Sequence, residues 1–147
     1  AEARARFLRW LFYVSNTVHA DLRVAFYAYR YVPEAHIPGL VGGVRARFAR
    51  HLDMLEAEIA RDGSLTGAGP TLADEYLAVC IRWAQNYPHA SGAVLKDMSR
   101  WPVLLALLQG LEAADPVQTA CRAEFIRDAR PYTAPTLPDV PRSEITG

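Results

Sequence analysis

Apolar residues recur along this chain at steps of three and four, the spacing that gathers them on one face of a helix. Phe7, Leu11, Val14, Val18, Leu22 and Ala25 form the first such stripe, predicting one long helix from Glu2 to Tyr31. Pro33 and Pro38 then break it, since proline removes a backbone donor. Phe48, Leu52, Leu55 and Ile59 form a second stripe, predicting a helix from near Pro38 to Asp62-Gly63. Gly63 suits its end because glycine accepts the left-handed conformation that closes a helix. Gly39, Gly42 and Gly43 soften its start, so regular helix is expected only from about Val44.

A turn-rich stretch, 63–70, precedes a third predicted helix from Thr71 to about Asn86. Leu72, Ala73, Tyr76, Leu77, Cys80, Ile81 and Ala84 make it apolar around most of its girth, so it is expected at the centre of the core. Thr71 and Asp74 carry capping-box spacing. The hydroxyl is placed to accept from the N–H of residue 74, and the carboxylate to reach back to the N–H of residue 71. Tyr87-Pro88 ends this helix, and a short, weakly patterned piece follows over 90–98. Pro102 to Leu111 predicts a fourth helix, and Asp115, read as a cap, starts a fifth that reaches about Phe125. No strand-like alternation occurs. The fold class is therefore all-α, a bundle of five to six helices.

From Asp128 the character changes: Pro131, Pro135, Pro138 and Pro141 crowd the end of the chain. The organisation expected is a helical domain over 1–127 and a Pro-rich extended or disordered tail over 128–147.

Composition excludes several function classes. Apolar residues at 51% and charged residues at 22% are those of a globular domain rather than a disordered chain. Sixteen basic residues balance 16 acidic ones, so the basic stripe of a nucleic-acid binder is missing. Arg4, Arg6 and Arg9, like Arg45, Arg47 and Arg50, are interleaved with apolar residues and read as solvated helix faces. No stretch approaches the ~18 apolar residues of a membrane span. Residues 1–9 are charged and helical in pattern, unlike a signal peptide, and a cytoplasmic location is expected by default. The chain opens inside a helix without a start methionine or a cap, from which a longer parent is expected.

Cys80 and Cys121 each stand alone among small apolar residues and read as buried hydrophobes, not as a disulfide or a nucleophile. The Gly39–Gly43 run lacks the Lys-Ser/Thr of a phosphate loop. His36 and His51 have no ligand spacing with another His or Cys, so no metal is expected.

Candidate chemistry lies on the first helix. At ~100° per residue, Leu8, Phe12, Ser15, His19, Phe26 and Arg30 fall within about 60° of one another. Apolar, hydroxyl, imidazole and guanidinium groups together suit the wall of a cleft. Trp10 and Trp83 both read as packing residues, Trp83 being the better placed for a pocket wall.

Three stretches then carry a resemblance. They are Arg9-Trp10-Leu11 followed by His19; Leu65-Thr66-Gly67 with Thr71-Leu72-Ala73-Asp74 and Tyr76-Leu77; and Arg82-Trp83-Ala84. With Pro116-Val117-Gln118 they make residues 1 to about 125 resemble the C-terminal helical domain of glutathione transferases, closest to the bacterial beta class. The family's N-terminal thioredoxin-like domain is absent from this sequence. The resemblance implies an enzyme that conjugates glutathione, as co-substrate, to small electrophiles in detoxification. This domain would supply the hydrophobic second-substrate wall and part of a homodimer interface. It implies a ligand contact at His19, with Phe12, Ser15 and Trp83 completing the substrate-binding set. It implies no catalytic residue here, because the family's tyrosine, serine or cysteine comes from the other domain, so this chain alone is expected to be inactive. Thr71 and Asp74 are implied to be a folding feature.

Two positions depart from the family's pattern. Beta-class relatives commonly carry an Asn seven residues before this His and a Glu two before it; here stand Phe12 and Thr17. Phe12 cannot hydrogen-bond the tripeptide and Thr17 cannot pair with its ammonium. The departures keep open an alternative, a non-catalytic transferase-like interaction or assembly module. Trp10, Phe12 and Tyr13 are the residues expected at a dimer interface. The staple positions of the capped helix, usually apolar in the family, hold Pro70 and Glu75.

Overall fold

A computed structural model describes residues 1–87, 92–126 and 130–136. Expectations for residues 90–91, 127–129 and 137–147 lie outside the described residues. Helices α1 (Glu2–Tyr13), α2 (His19–Phe26), α3 (Ile37–Asp62), α4 (Leu72–Asn86), α5 (Pro102–Glu112) and α6 (Asp115–Ala123) build an all-α bundle, with no strand among the described residues.

The opening helix is not uniform. A π turn at Val14–Val18 joins α1 to α2, and helical geometry gives way at Tyr27 rather than Tyr31. The cause lies in the spacing of the buried side chains. Trp10, Val14, Val18 and Leu22 are all buried and are separated by four residues each time. Each step of four overshoots a full α-helical turn by ~40°, so three steps drift by ~120°. A π turn closes with i→i+5 bonds and spends an extra residue, which returns all four side chains to the core. Trp10 is the anchor, at 1% exposure, while Phe7 and Leu11 are half-buried.

Helix α3 is regular from Ile37, ahead of the expected start at Val44. Pro38 sits in its first turn, where no donor is required. The glycines there are exposed, and buried Val44 and Phe48 hold the helix against its neighbours. Gly63, at φ +78°, closes it in the left-handed conformation.

Helix α4 is the central pillar, with Leu77, Ala78, Cys80, Ile81 and Ala84 fully buried. Thr71 Oγ1 accepts from the Ala73 N–H at 3.3 Å, and Asp74 Oδ2 accepts from the Thr71 N–H at 2.8 Å and its hydroxyl at 2.9 Å, completing the capping box. Asp74, at 1% exposure, does more: its Oδ1 takes the Leu65 N–H at 2.9 Å and fastens the preceding loop.

Helix α5 is capped from another helix. Glu56 on α3 accepts from the N–H groups of Val103 and Leu104, at 2.9 and 2.7 Å. The cap expected at Asp115 is corrected: Ala114 holds that position, and Asp115 is the first helical residue, with no side-chain capping bond. A turn from Leu111 to Ala114 starts α6 one residue early, which leaves the Asp115 charge to favour the positive helix end. Residues 93–98 are irregular, with Val94, Leu95 and Met98 buried and the Leu95 N–H donating to the Ala84 carbonyl.

Residues 130–136 form a strap across α4 and α5. Arg82 donates to the carbonyls of Pro131 and Thr136, at 2.8 and 2.6 Å. Glu112 accepts from the N–H groups of Tyr132 and Thr133 and from the Thr133 hydroxyl. The Tyr132 phenol is bonded to Glu75 and its ring is buried.

Candidate functional site

A cleft of about 800 Å³ opens between α2 and the end of α4, lined by His19, Arg23, Phe26, Tyr27, Trp83 and Tyr87. That volume falls in the ordinary range of small-molecule sites. Helix α2 contributes His19, Arg23 and Phe26 at i, i+4 and i+7, one face of a helix, and Tyr27 follows at its C-cap. Trp83 and Tyr87 stand at i, i+4 on α4 and its C-terminal boundary. Two ring pairs cross between the helices. His19 and Trp83 have centroids 5.2 Å apart, and Phe26 and Tyr87 are 5.6 Å apart.

His19 is held in place from the core side. Its Nδ1 lies 2.6 Å from the Tyr76 hydroxyl, with the two rings edge-on. Burial pushes the Tyr76 phenol above its ordinary pKa, so it keeps its proton at neutral pH. A phenol donates better than it accepts, and a neutral imidazole nitrogen is the natural acceptor. With Nδ1 engaged by the Tyr76 phenol, Nε2 is the ring nitrogen left without a partner among the described residues.

His19 and Trp83 thus share one cleft. Phe12 and Ser15, expected beside them, do not line it. Phe12 is 56% exposed, and the Ser15 hydroxyl is bonded to the Phe12 carbonyl and to Asn16. In an unbroken helix Phe12 and His19 would lie ~20° apart. The intervening π turn rotates them onto different faces. Arg30, from the same expected stripe, packs over Tyr27 and Tyr29 and is bonded to the Tyr29 hydroxyl. Trp10, read as an interface residue, is buried in the chain's own core, and Tyr13 is half-buried.

Sequence reasoning missed Arg23, Tyr27, Tyr76 and Tyr87. Counting i, i+4, i+7 and i+8 from His19, rather than continuing the register of Phe12, finds Arg23 and Tyr27. Tyr76 carries no local signal, since it pairs with His19 across 57 positions.

A second polar cluster ties α1, α2 and α3 together. The Tyr13 hydroxyl lies 2.6 Å from His51 Nδ1, and His51 Nε2 lies 3.0 Å from Asp21. Arg47 donates to both Asp21 oxygens, at 2.5 and 2.6 Å. Burial alone would raise the Asp21 carboxyl, but the hydrogen bonds from Arg47 and His51 outweigh it and hold the group below its ordinary value. Burial pushes the Cys80 thiol up to about 12, which keeps it protonated and inert. Among the described residues no group of three or more His, Cys, Asp or Glu side chains could hold a metal ion, and no helix is long and apolar enough to cross a membrane.

Comparison with known proteins agrees with this architecture. The family model for the C-terminal domain of glutathione S-transferase matches residues 2–110, so the chain belongs to that family. Among individual proteins, glutathione S-transferase GST-4.5 of Xanthomonas campestris pv. campestris is 30% identical over 125 residues, 84% of this chain and 58% of that protein. The chain therefore spans little more than half the length of this curated relative. No solved structure matches it.

Proposed function

We propose that this domain forms the second-substrate wall of a glutathione transferase that conjugates glutathione to hydrophobic electrophiles. The observation that carries the reading is the aromatic cleft between α2 and α4, with His19 locked by Tyr76 so that Nε2 remains for a ligand. A thioredoxin-like domain in the same polypeptide would bind glutathione and activate its thiol. The thiolate attacks the electrophilic carbon, the C–S bond forms, and the leaving group departs with its bonding pair while the thiol proton passes to solvent. The cleft holds the electrophile in line for that attack, which turns an encounter in solution into a reaction between neighbours. A cytoplasmic homodimer is part of the same reading, with exposed Phe12 available to a second copy.

Turnover of glutathione with 1-chloro-2,4-dinitrobenzene by the full-length protein tests the proposal. His19→Ala is expected to lower kcat/KM about tenfold, the worth of one hydrogen bond of ~1.4 kcal/mol. Unchanged turnover and glutathione affinity in that variant would remove His19 from the site. Absence of glutathione-dependent turnover in the wild type would overturn the enzymatic reading. It would favour the assembly module instead, for which Phe12 and Thr17, in place of polar glutathione contacts, speak.

A further inference from the structure

The aromatic cleft carries a charge that its own walls leave unanswered. Its lining holds four aromatic residues, one imidazole and one guanidinium, and no carboxylate. The Arg23 guanidinium makes no hydrogen bond or ion pair among the described residues. Arg6, Arg47, Arg61 and Arg100 are each paired with a carboxylate, and Arg30 is bonded to Tyr29. Asp21, the one acid on α2, is already taken by Arg47 and His51.

We propose that Arg23 selects electrophiles bearing a carboxylate on a flat hydrophobic ring. The inference rests on the proposed role of the cleft as a second-substrate site and specifies which substrates it favours. Arg23 stands about one turn beyond His19 and one turn before Phe26 on the same face of α2. It is therefore set between the His19–Trp83 and Phe26–Tyr87 ring pairs. Those rings receive a planar body by stacking or edge contact. The guanidinium fork receives a carboxylate through two parallel N–H donors, a geometry an ammonium cannot reproduce. Arg23 is exposed, as are Tyr27 and Tyr87, so a carboxylate meets it at the open side of the cleft.

A carboxylate could also arrive on glutathione itself, so the experiment separates the two sources. It compares two rings of one shape, 4-chloro-3-nitrobenzoate and 4-chloro-3-nitrobenzamide, each conjugated by the full-length protein with loss of chloride. The quantity read is the ratio of kcat/KM for the acid over the amide. Arg23→Gln is expected to lower that ratio about tenfold at low salt, and Arg23→Lys to recover part of it. Added salt is expected to shrink the wild-type ratio. Binding of unreactive 4-nitrobenzoate, read by tryptophan quenching, is expected to weaken by the same factor in Arg23→Gln.

An unchanged ratio in Arg23→Gln, with both rings turned over by the wild type, overturns selection by Arg23 and leaves the proposed function standing. A rise in the KM for glutathione common to both rings assigns Arg23 to the co-substrate and also overturns it. If the wild type turns over neither ring, turnover of 1-chloro-2,4-dinitrobenzene decides whether the proposed function stands. In that case loss of 4-nitrobenzoate binding in Arg23→Gln still supports the carboxylate site, and its retention overturns it.

Discussion

The hydroxyl of Tyr76 on α4 stands 2.6 Å from Nδ1 of His19 on α2, and this single contact decides which nitrogen of the imidazole can meet a ligand. Tyr76→Phe removes the donor while keeping the ring. The variant is expected to lose about 1 kcal/mol of stability. Its more specific signature is in the imidazole: the neutral wild-type ring should carry its proton on Nε2, and the variant should show a mixture of tautomers. Nitrogen-15 shifts of the His19 ring check this. A wild-type ring protonated at Nδ1 would contradict the assignment.

Asp74 combines a helix cap with a loop fastener. Asp74→Ala would leave the N–H groups of Thr71 and Leu65 without their carboxylate, the second of them in a buried bond. Loss of a cap costs ~1 kcal/mol, and a stranded buried donor adds ~1–3 kcal/mol. The expected destabilisation is therefore about 3 kcal/mol in urea unfolding. A loss under ~0.5 kcal/mol would show that α4 does not depend on this carboxylate.

Asp21 gives the stability a defined acid dependence. Its folded-state pKa is held below the unfolded value, so the Asp21–Arg47–His51 contacts stabilise fully above the unfolded pKa of ~3.9. That contribution fades as pH falls through the depressed folded value. Asp21→Asn should thus be less stable than wild type at pH 5. The margin should narrow below about pH 4. Urea midpoints at pH 5 and 3 test it, and a margin that grows between them would refute it.

Cys80 should resist alkylation while the fold is intact. With its thiol pushed up to about 12, roughly one molecule in ten thousand carries a thiolate at pH 8, and the group is buried as well. Mass spectrometry after iodoacetamide treatment should find Cys80 unmodified in buffer and labelled in denaturant. Rapid labelling in buffer would mean that the α4 core opens.

Much of the fold could be read from the residues because its signals are local. Thr71 and Asp74 lie three apart, Gly63 closes its own helix, and the apolar girth of Leu77, Cys80, Ile81 and Ala84 marks the central helix. The site was harder, for two reasons. The run Trp10, Val14, Val18, Leu22 has a period of four, too long for an ideal α-helix, and that mismatch is the trace of the π turn. Projecting a regular helix through it put Phe12 and Ser15 beside His19. The other reason is distance along the chain: Tyr76, Trp83 and Tyr87 reach the α2 face only through tertiary packing. Glu56 capping α5 was hidden in the same way.

The strap over residues 130–136 separates two kinds of boundary. The family model ends at residue 110, yet Arg82, at 7% exposure, finds its partners beyond it, and Glu112, at 4%, lies beyond it with its own. Trimming the polypeptide at residue 110 would remove Glu112 and the strap together and leave the buried Arg82 guanidinium without the backbone carbonyls to which it donates. The stretch the family model matches is therefore shorter than the stretch that packs as one body, because among the described residues the buried ends of Arg82 and Glu112 are answered only by the strap.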